Sequence, residues 1–425
     1  MSEPQVTRLD NGLTVLTVPG GSGSASAMLF VGAGSRYETR EVSGTAHFLE
    51  HLFFKGTPRR PTTLQIATEI DSLGARFNAF TSEEYTAYYV KGAADYTAQA
   101  VDVIADMLRN ALIPVEEIDR ERGVVLEEMK MYEDNPQAKV FRLMGEAMYG
   151  DSPLGWGVLG SPEVISTVTR EQILNYRTSF YAPGRMTLVI SGNATHEESL
   201  RLADKYFADL EPRPLNGAAP GTFAAPNHKQ QGRDVQQANI ALAMPGISHS
   251  DPEEEVIAAR MMSAIFGGSM SSRLFISVRE RQGLCYSVSS SLDMNADIGA
   301  LLIYTGTDPA KASTAVESIL REMETIVAGG VTPEELEKGR AMLKGRYVLD
   351  REDSMAIGYL AAAEMLYRGR VSTREEQFAL IDSVSADAVH AAAVKYLRPG
   401  EIRSAVVGPH GLDISGALAG ATAAA

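Results

Sequence analysis

One cysteine, Cys285, stands in 425 residues. It has no partner for an internal disulfide, so the fold needs no oxidising compartment. Long apolar runs are missing too: no window reaches the roughly 18–20 consecutive apolar residues that span a bilayer, and AMLFVGAG stops after a few positions. The opening MSEPQVTRLDNG lacks the basic segment and apolar stretch of a secretory signal. The expectation is a soluble, cytoplasmic chain with no membrane partner. Lysine and arginine clusters are absent as well, and Lys+Arg 39 against Asp+Glu 54 leaves a net charge of −15. A nucleic-acid partner is disfavoured, because such binding rests on neutralised phosphates.

What is present is ordinary globular composition, 44% hydrophobic and 22% charged, and the length implies two to four structural units at roughly 100–200 residues each. Two halves are separated by a Pro/Gly/Ala/Asn-rich stretch, which predicts an N-terminal domain over 1–212, a linker over 213–233, a C-terminal domain over 234–412 and a flexible tail over 413–425. Each half opens with a strand-like run, AMLFVGAG or NIALAMPG. Next come a helical segment, GTAHFLEHLFF or EVIAARMMSAIF, and a β-rich hairpin region. Further on, AVDVIADMLRNALIPVEEIDRERGVVLEEM echoes AVESILREMETIVAGGVTPEELEKGRAMLKGR in pattern and order. An internal duplication explains this. Regular βαβ alternation is lacking, so the predicted fold class is α+β: two duplicated domains, each a mainly antiparallel sheet packed by helices.

The candidate chemistry begins at His47, Glu50 and His51 in SGTAHFLEHLFFKGT, in a chain with seven histidines. Two imidazoles four residues apart on a helix share one face and can grip one metal ion, with Glu50 beside them. Ser43 or Thr45 is expected to cap this helix and Gly56 to end it. A catalytic zinc needs a third protein ligand and an open fourth position. In the helical segment VEEIDRERGVVLEEMKMYED, Ile118, Glu121, Val125, Glu128 and Tyr132 fall at steps of three and four. Two acids thus share an apolar stripe, where a carboxylate is costly unless paired or metal-bound. Glu128 is assigned as the third ligand and Glu121 as its support from behind; Glu127 points toward water. Cys285 lacks a Cys/His/Asn arrangement, and Gly32 and Gly34 lack the third glycine of a dinucleotide loop. The sequon at Asn193 means nothing without a secretory route.

With those residues in place, the sequence resembles the inverted-zincin peptidases of the pitrilysin group, and within it the short subunits similar to mitochondrial processing peptidase and its bacterial relatives. The resemblance is carried by His47-x-x-Glu50-His51, by Glu128 77 positions after His51 within ERGVVLEEM, and by LGARFNAFTSEEYTAYYVKG and SSRLFISVRERQGLCYSV. It implies a zinc metalloendopeptidase in which His47, His51 and Glu128 hold one Zn2+ per chain and Glu50 is the general base, with Glu121 supporting the site. It also implies that Arg279 and Tyr286, seven residues apart, stabilise the substrate carbonyl and oxyanion. Phe77, Asn78, Ala79 and Phe80 would form an edge strand to which peptides add, and Gly267 and Gly268 stand in the place of a glycine-rich loop. The second half has no His-x-x-Glu-His, and Arg346 stands where Glu128 would be. The expected working form is a homodimer, or a heterodimer with a related subunit, hydrolysing peptides or unfolded segments in an enclosed chamber. The competing class is a non-catalytic scaffold or partner subunit; a zinc amidohydrolase is disfavoured by the edge-strand segment.

Overall fold

The structure, a computed structural model, describes residues 3–20 and 23–423. Two sheets organise it. The first has six strands, β1 (Gln5–Arg8), β2 (Thr14–Pro19), β3 (Ser24–Val31), β4 (Arg76–Thr81), β5 (Thr86–Ala93) and β6 (Met186–Gly192), in the order β1-β2-β6-β3-β5-β4. The second has five, β7 (His228–Gly232), β8 (Ala238–Pro245), β9 (Cys285–Met294), β10 (Gly299–Thr307) and β11 (Arg403–Gly408), in the order β7-β11-β8-β10-β9. Pairing is antiparallel except between β2 and β6 and between β7 and β11. The two sheet-plus-helix halves are those expected.

Side chains alternate across a strand, so the two faces of β3 can be read separately. Ala27, Leu29 and Val31 enter one core with Phe48, Leu49, Leu52 and Phe53, while Met28 and Phe30 enter another with Ala361 and Ala362. Both faces of the first sheet are therefore apolar and both need cover. The same holds in the second sheet. There Ile240, Leu242 and Met244 face one core, and Ala241 and Ala243 face another with Val140, Met144 and Ala147.

This requirement groups the chain differently from the order of its halves. One compact unit comprises Met1–Lys130, Trp156–Ala219 and Val348–Thr373, and the other Met131–Gly155, Pro220–Tyr347 and Arg374–Ala425. Helix Ser354–Arg368, from late in the chain, covers the first sheet, and helix Pro136–Tyr149, from the first half, covers the second. Both start at a side-chain cap. Asn135 accepts from the Gln137 and Ala138 N–H groups, and Asp353 from those of Met355 and Ala356. Within the stretch read as a linker, His228–Gly232 forms β7, whose partner is β11. The tail is helical over Ser415–Ala423, with Ile414 and Ala417 buried.

Two helices position the candidate site. The histidine helix runs Thr45–Leu52, and a tight turn over Phe53–Lys55 leads to Gly56, which ends it at φ 121° as expected. Its start is not capped by Ser43 or Thr45. Gly44 is the N-cap at φ 91°, and a Cβ there would lie 2.4 Å from the Leu159 carbonyl oxygen, so only glycine fits. The free N–H groups go instead to Glu38, whose carboxyl accepts from Gly44 at 2.7 Å and Ala46 at 2.5 Å. Burial pushes that carboxyl up to about 8, against backbone bonds that pull it down. The glutamate helix runs Val115–Asp134 and buries Ile118, Glu121 and Val125. Tyr132 does not continue the stripe; it is 45% exposed, because the core ends before that turn. Glu127 faces water beside Lys130, as expected.

Candidate metal centre

The histidine helix is almost wholly buried. Phe48, Leu49 and Leu52 pack into the core, which fixes the opposite face and turns His47 and His51 toward the glutamate helix. Glu128 Oε2 lies 3.6 Å from His47 Nε2 and 3.7 Å from His51 Nε2. The two imidazole rings are 4.6 Å apart, centroid to centroid.

These separations are too long for hydrogen bonds. They approach the edge of a tetrahedron whose corners lie about 2.1 Å from its centre, roughly 3.4 Å. Three donor atoms thus face one another without bonding, and His47 Nδ1 is buried with no hydrogen-bond partner. The donor set fits a divalent zinc. It is also the one group of three or more His, Cys, Asp or Glu side chains among the described residues arranged to hold a metal ion.

The electrostatics point the same way. Burial, aided by the neighbouring His51, pushes His47 down to about 3, leaving a neutral imidazole with a free lone pair. Burial raises Glu128, and the charge of Glu121 adds to it. For His51, burial is outweighed by its bond to Glu121 and by the charges of Glu50, Glu121 and Glu128, so its pKa rises. A cation between the three donors relieves the cost of a desolvated carboxylate beside lone pairs.

Behind the donors, Glu121 Oε1 accepts from His51 Nδ1 at 3.0 Å, and its other oxygen pairs with Lys55. That bond places the His51 proton on Nδ1 and leaves Nε2 as the lone pair facing Glu128. Glu50 is buried, and its Oε2 accepts a 2.5 Å hydrogen bond from the Thr81 hydroxyl at the end of β4. Burial raises its pKa and Thr81 pulls it down.

Phe77, Asn78, Ala79 and Phe80 lie on β4, the outer strand of the first sheet. The Asn78 side chain accepts from the Ala79 N–H at 2.9 Å. Arg279 and Tyr286 belong to the second unit, Arg279 on a π-helical turn over Phe275–Arg281 and Tyr286 on β9. The Arg279 guanidinium lies 4.5 Å from the Phe275 ring centre and 5.4 Å from that of Tyr286, which is 77% exposed. Gly267 and Gly268 end helix Glu253–Gly267. Cys285 is a free, half-buried thiol.

Three supporting residues escaped the sequence reading of roles. Lys55 was visible as one more turn of the histidine face, four residues after His51. Thr81 sat in a segment read only for its backbone. Glu38 carried no signal, since its cap spans a turn and six residues.

Residues 15–161 match the model of the insulinase family, peptidase family M16, and residues 167–343 match that of the peptidase M16 inactive domain. An uncharacterized zinc protease of Mycobacterium tuberculosis is 35% identical over 418 residues, 96% of this chain and 94% of the relative. One of Bacillus subtilis is 33% identical over 406 residues, 95% of this chain and 96% of the relative. In fold, the chain resembles the crystal structure of a protease from Helicobacter pylori, with a TM-score of 0.88 at 20% identity, covering 96% of this chain and 99% of that one. It equally resembles a peptidase M16 inactive domain from Pseudomonas fluorescens, with a TM-score of 0.89 at 20% identity and coverage of 96% and 98%. Among the described residues no helix is long and apolar enough to cross a membrane.

Proposed function

This chain belongs to the M16 (insulinase) peptidase family, and on that premise we propose that it is a zinc-dependent endopeptidase acting on peptides and unfolded segments in the cytoplasm. The carrying observation is the convergence of His47 Nε2, His51 Nε2 and Glu128 Oε2 on one point, with the buried Glu50 on the same helix and tied to the edge strand. His47, His51 and Glu128 would hold one zinc per chain, and that ion, when bound, would supply Lewis-acid polarisation of a scissile carbonyl and a water of pKa lowered toward about 7.

The remaining steps belong to the protein. An extended peptide pairs with β4 along Phe77, Asn78, Ala79 and Phe80, so that main-chain bonds give affinity across varied sequences. Glu50, oriented by Thr81, accepts a proton from the attacking water and delivers it to the leaving amine. Glu121 holds the His51 ring and its tautomer in place. Arg279 and Tyr286 hold the substrate carbonyl and the developing oxyanion, with Gly267 and Gly268 on the substrate path. Because one chain carries both the metal ligands and the Arg/Tyr pair, the working form in this reading is a homodimer, or a heterodimer with a related subunit, enclosing a chamber.

The test measures zinc content and cleavage of a quenched peptide library by wild type and by Glu50→Gln. One zinc in both, with cleavage by wild type alone, is the expected result. Full metal with no cleavage by wild type would favour a scaffold instead. The dimer is tested by mixing Glu50→Gln with Tyr286→Phe chains: recovered activity supports cross-subunit completion, and none above either parent refutes it.

A further inference from the structure

The duplication brings residues 115–128 into register with 333–346 without a gap, setting Glu121 against Gly339 and Glu128 against Arg346. Geometry supports this register. In the first unit Glu121 reaches His51 on the neighbouring helix and Lys55, four residues on, in the tight turn that follows it. In the second unit a Cβ on Gly339 would lie 3.0 Å from Met261 Cγ and 3.3 Å from Ile265 Cδ1, again four residues apart on the neighbouring helix. The helix pair is the same; its polar tie has become an apolar contact.

Arg346, at the position of the metal ligand, does something different. It donates to the carbonyl of Gly268, the C-cap of helix Glu253–Gly267, where a cation also suits the helix dipole. One further contact joins it from helix Pro333–Leu349: Lys338 Nζ donates to the Ser271 carbonyl at 2.7 Å. Just beyond, Arg273 is held by Glu335 at 2.7 and 2.8 Å and donates to the Gly330 carbonyl at 2.8 Å.

The turn so held is otherwise secured mainly by local bonds, such as Ser272 N–H to the Ser269 carbonyl at 3.1 Å, and its tip residue Met270 is 73% exposed. Segments with few long-range contacts open easily. The turn runs directly into the π-helical stretch that carries Arg279.

We propose that Arg346 and Lys338 are positioning residues: the helix that in the other unit supplies a metal ligand here clamps the carbonyls of the Gly268–Ser271 turn, fixing it as a wall for extended peptides. The assignment rests on the peptidase reading. The clamp itself has a readout that does not.

Hydrogen exchange and peptide kinetics are measured on the full chain for wild type, Arg346→Met, Lys338→Met and Arg346→Lys. Both bonds are exposed, so loss of one should speed exchange of the Gly268–Arg273 amides about two- to fivefold. KM for long peptides should rise about threefold or more, with kcat and zinc content held, and Arg346→Lys should recover most of the loss. Unchanged exchange in both methionine variants overturns the clamp. Faster exchange with unchanged KM overturns its role toward substrate. A wild type that binds zinc yet cleaves nothing sinks the peptidase reading, and the exchange data still decide the clamp.

Discussion

Glu121→Gln should weaken zinc binding by roughly 10- to 100-fold, the range seen when a partner behind a metal-bound histidine is lost. The structure gives the reason. Glu121 is buried, one oxygen accepts from His51 Nδ1 at 3.0 Å and the other pairs with Lys55. Glutamine keeps the shape and one acceptor but not the charge. A bond to a charged group contributes about 1.5–3 kcal/mol and a neutral one about 0.5–1.5, so the difference is near 1.4 kcal/mol, or about tenfold in affinity. Losing the negative charge behind the imidazole lowers its basicity and extends the effect. Competition with a fluorescent zinc chelator measures the change, and Lys55→Met is the control. That variant leaves Glu121 charged and bonded to His51 alone, so it should cost about 1.5–3 kcal/mol of stability, the worth of one bond to a charged group, without weakening zinc comparably. Zinc affinity of Glu121→Gln within twofold of wild type would refute the argument.

Glu38→Ala should strip the histidine helix of its cap. Two buried N–H groups at 2.7 and 2.5 Å lose their acceptor, which costs about 3 kcal/mol or more in urea unfolding, and Glu38→Gln, which keeps one acceptor oxygen, roughly half of that. Acid should loosen the first unit at Asp102 and Asp106. Burial pushes both up but is outweighed, by Arg59 and Arg60 at Asp102, and by Thr57, Asn110 and Arg60 at Asp106, so both sit below the usual range. A depressed folded-state pKa contributes stability in full above the unfolded value of about 3.9 and loses it as pH falls through the folded value. Urea midpoints should therefore fall below about pH 4, and less steeply for an Asp102→Asn/Asp106→Asn chain; equal slopes would contradict the assignment.

The legible part of the site was the part written in helical periodicity. His47, Glu50 and His51 announce a shared face, and Glu121 and Glu128 announce themselves by sitting in an apolar stripe. The central strands, too, could be placed, as the short apolar runs AMLFV and NIALAM, which end at glycine and at proline-glycine. What stayed hidden depends on contacts far apart in the chain or across a turn. Glu38, in SRYETREV, reads like any solvated glutamate, while Gly44 does its work through a left-handed φ that only its neighbours demand. The exchange of helices 136–149 and 354–368 between sheets follows from a need the strands do disclose, since Met28 and Phe30 are as apolar as Ala27, Leu29 and Val31. Which helix answers that need is decided by chain connectivity, and no local pattern reports it. Arg346 was recognisable as a departure from the duplicated pattern, but its grip on Gly268 required coordinates.

The most direct measurement is anomalous diffraction at the zinc edge from crystals of the Glu50→Gln chain, in which the ligands are untouched and substrate turnover is blocked. The account predicts one ion bonded to His47 Nε2, His51 Nε2 and Glu128. An ion bound elsewhere, or one at the imidazole pair with Glu128 turned away, would contradict it.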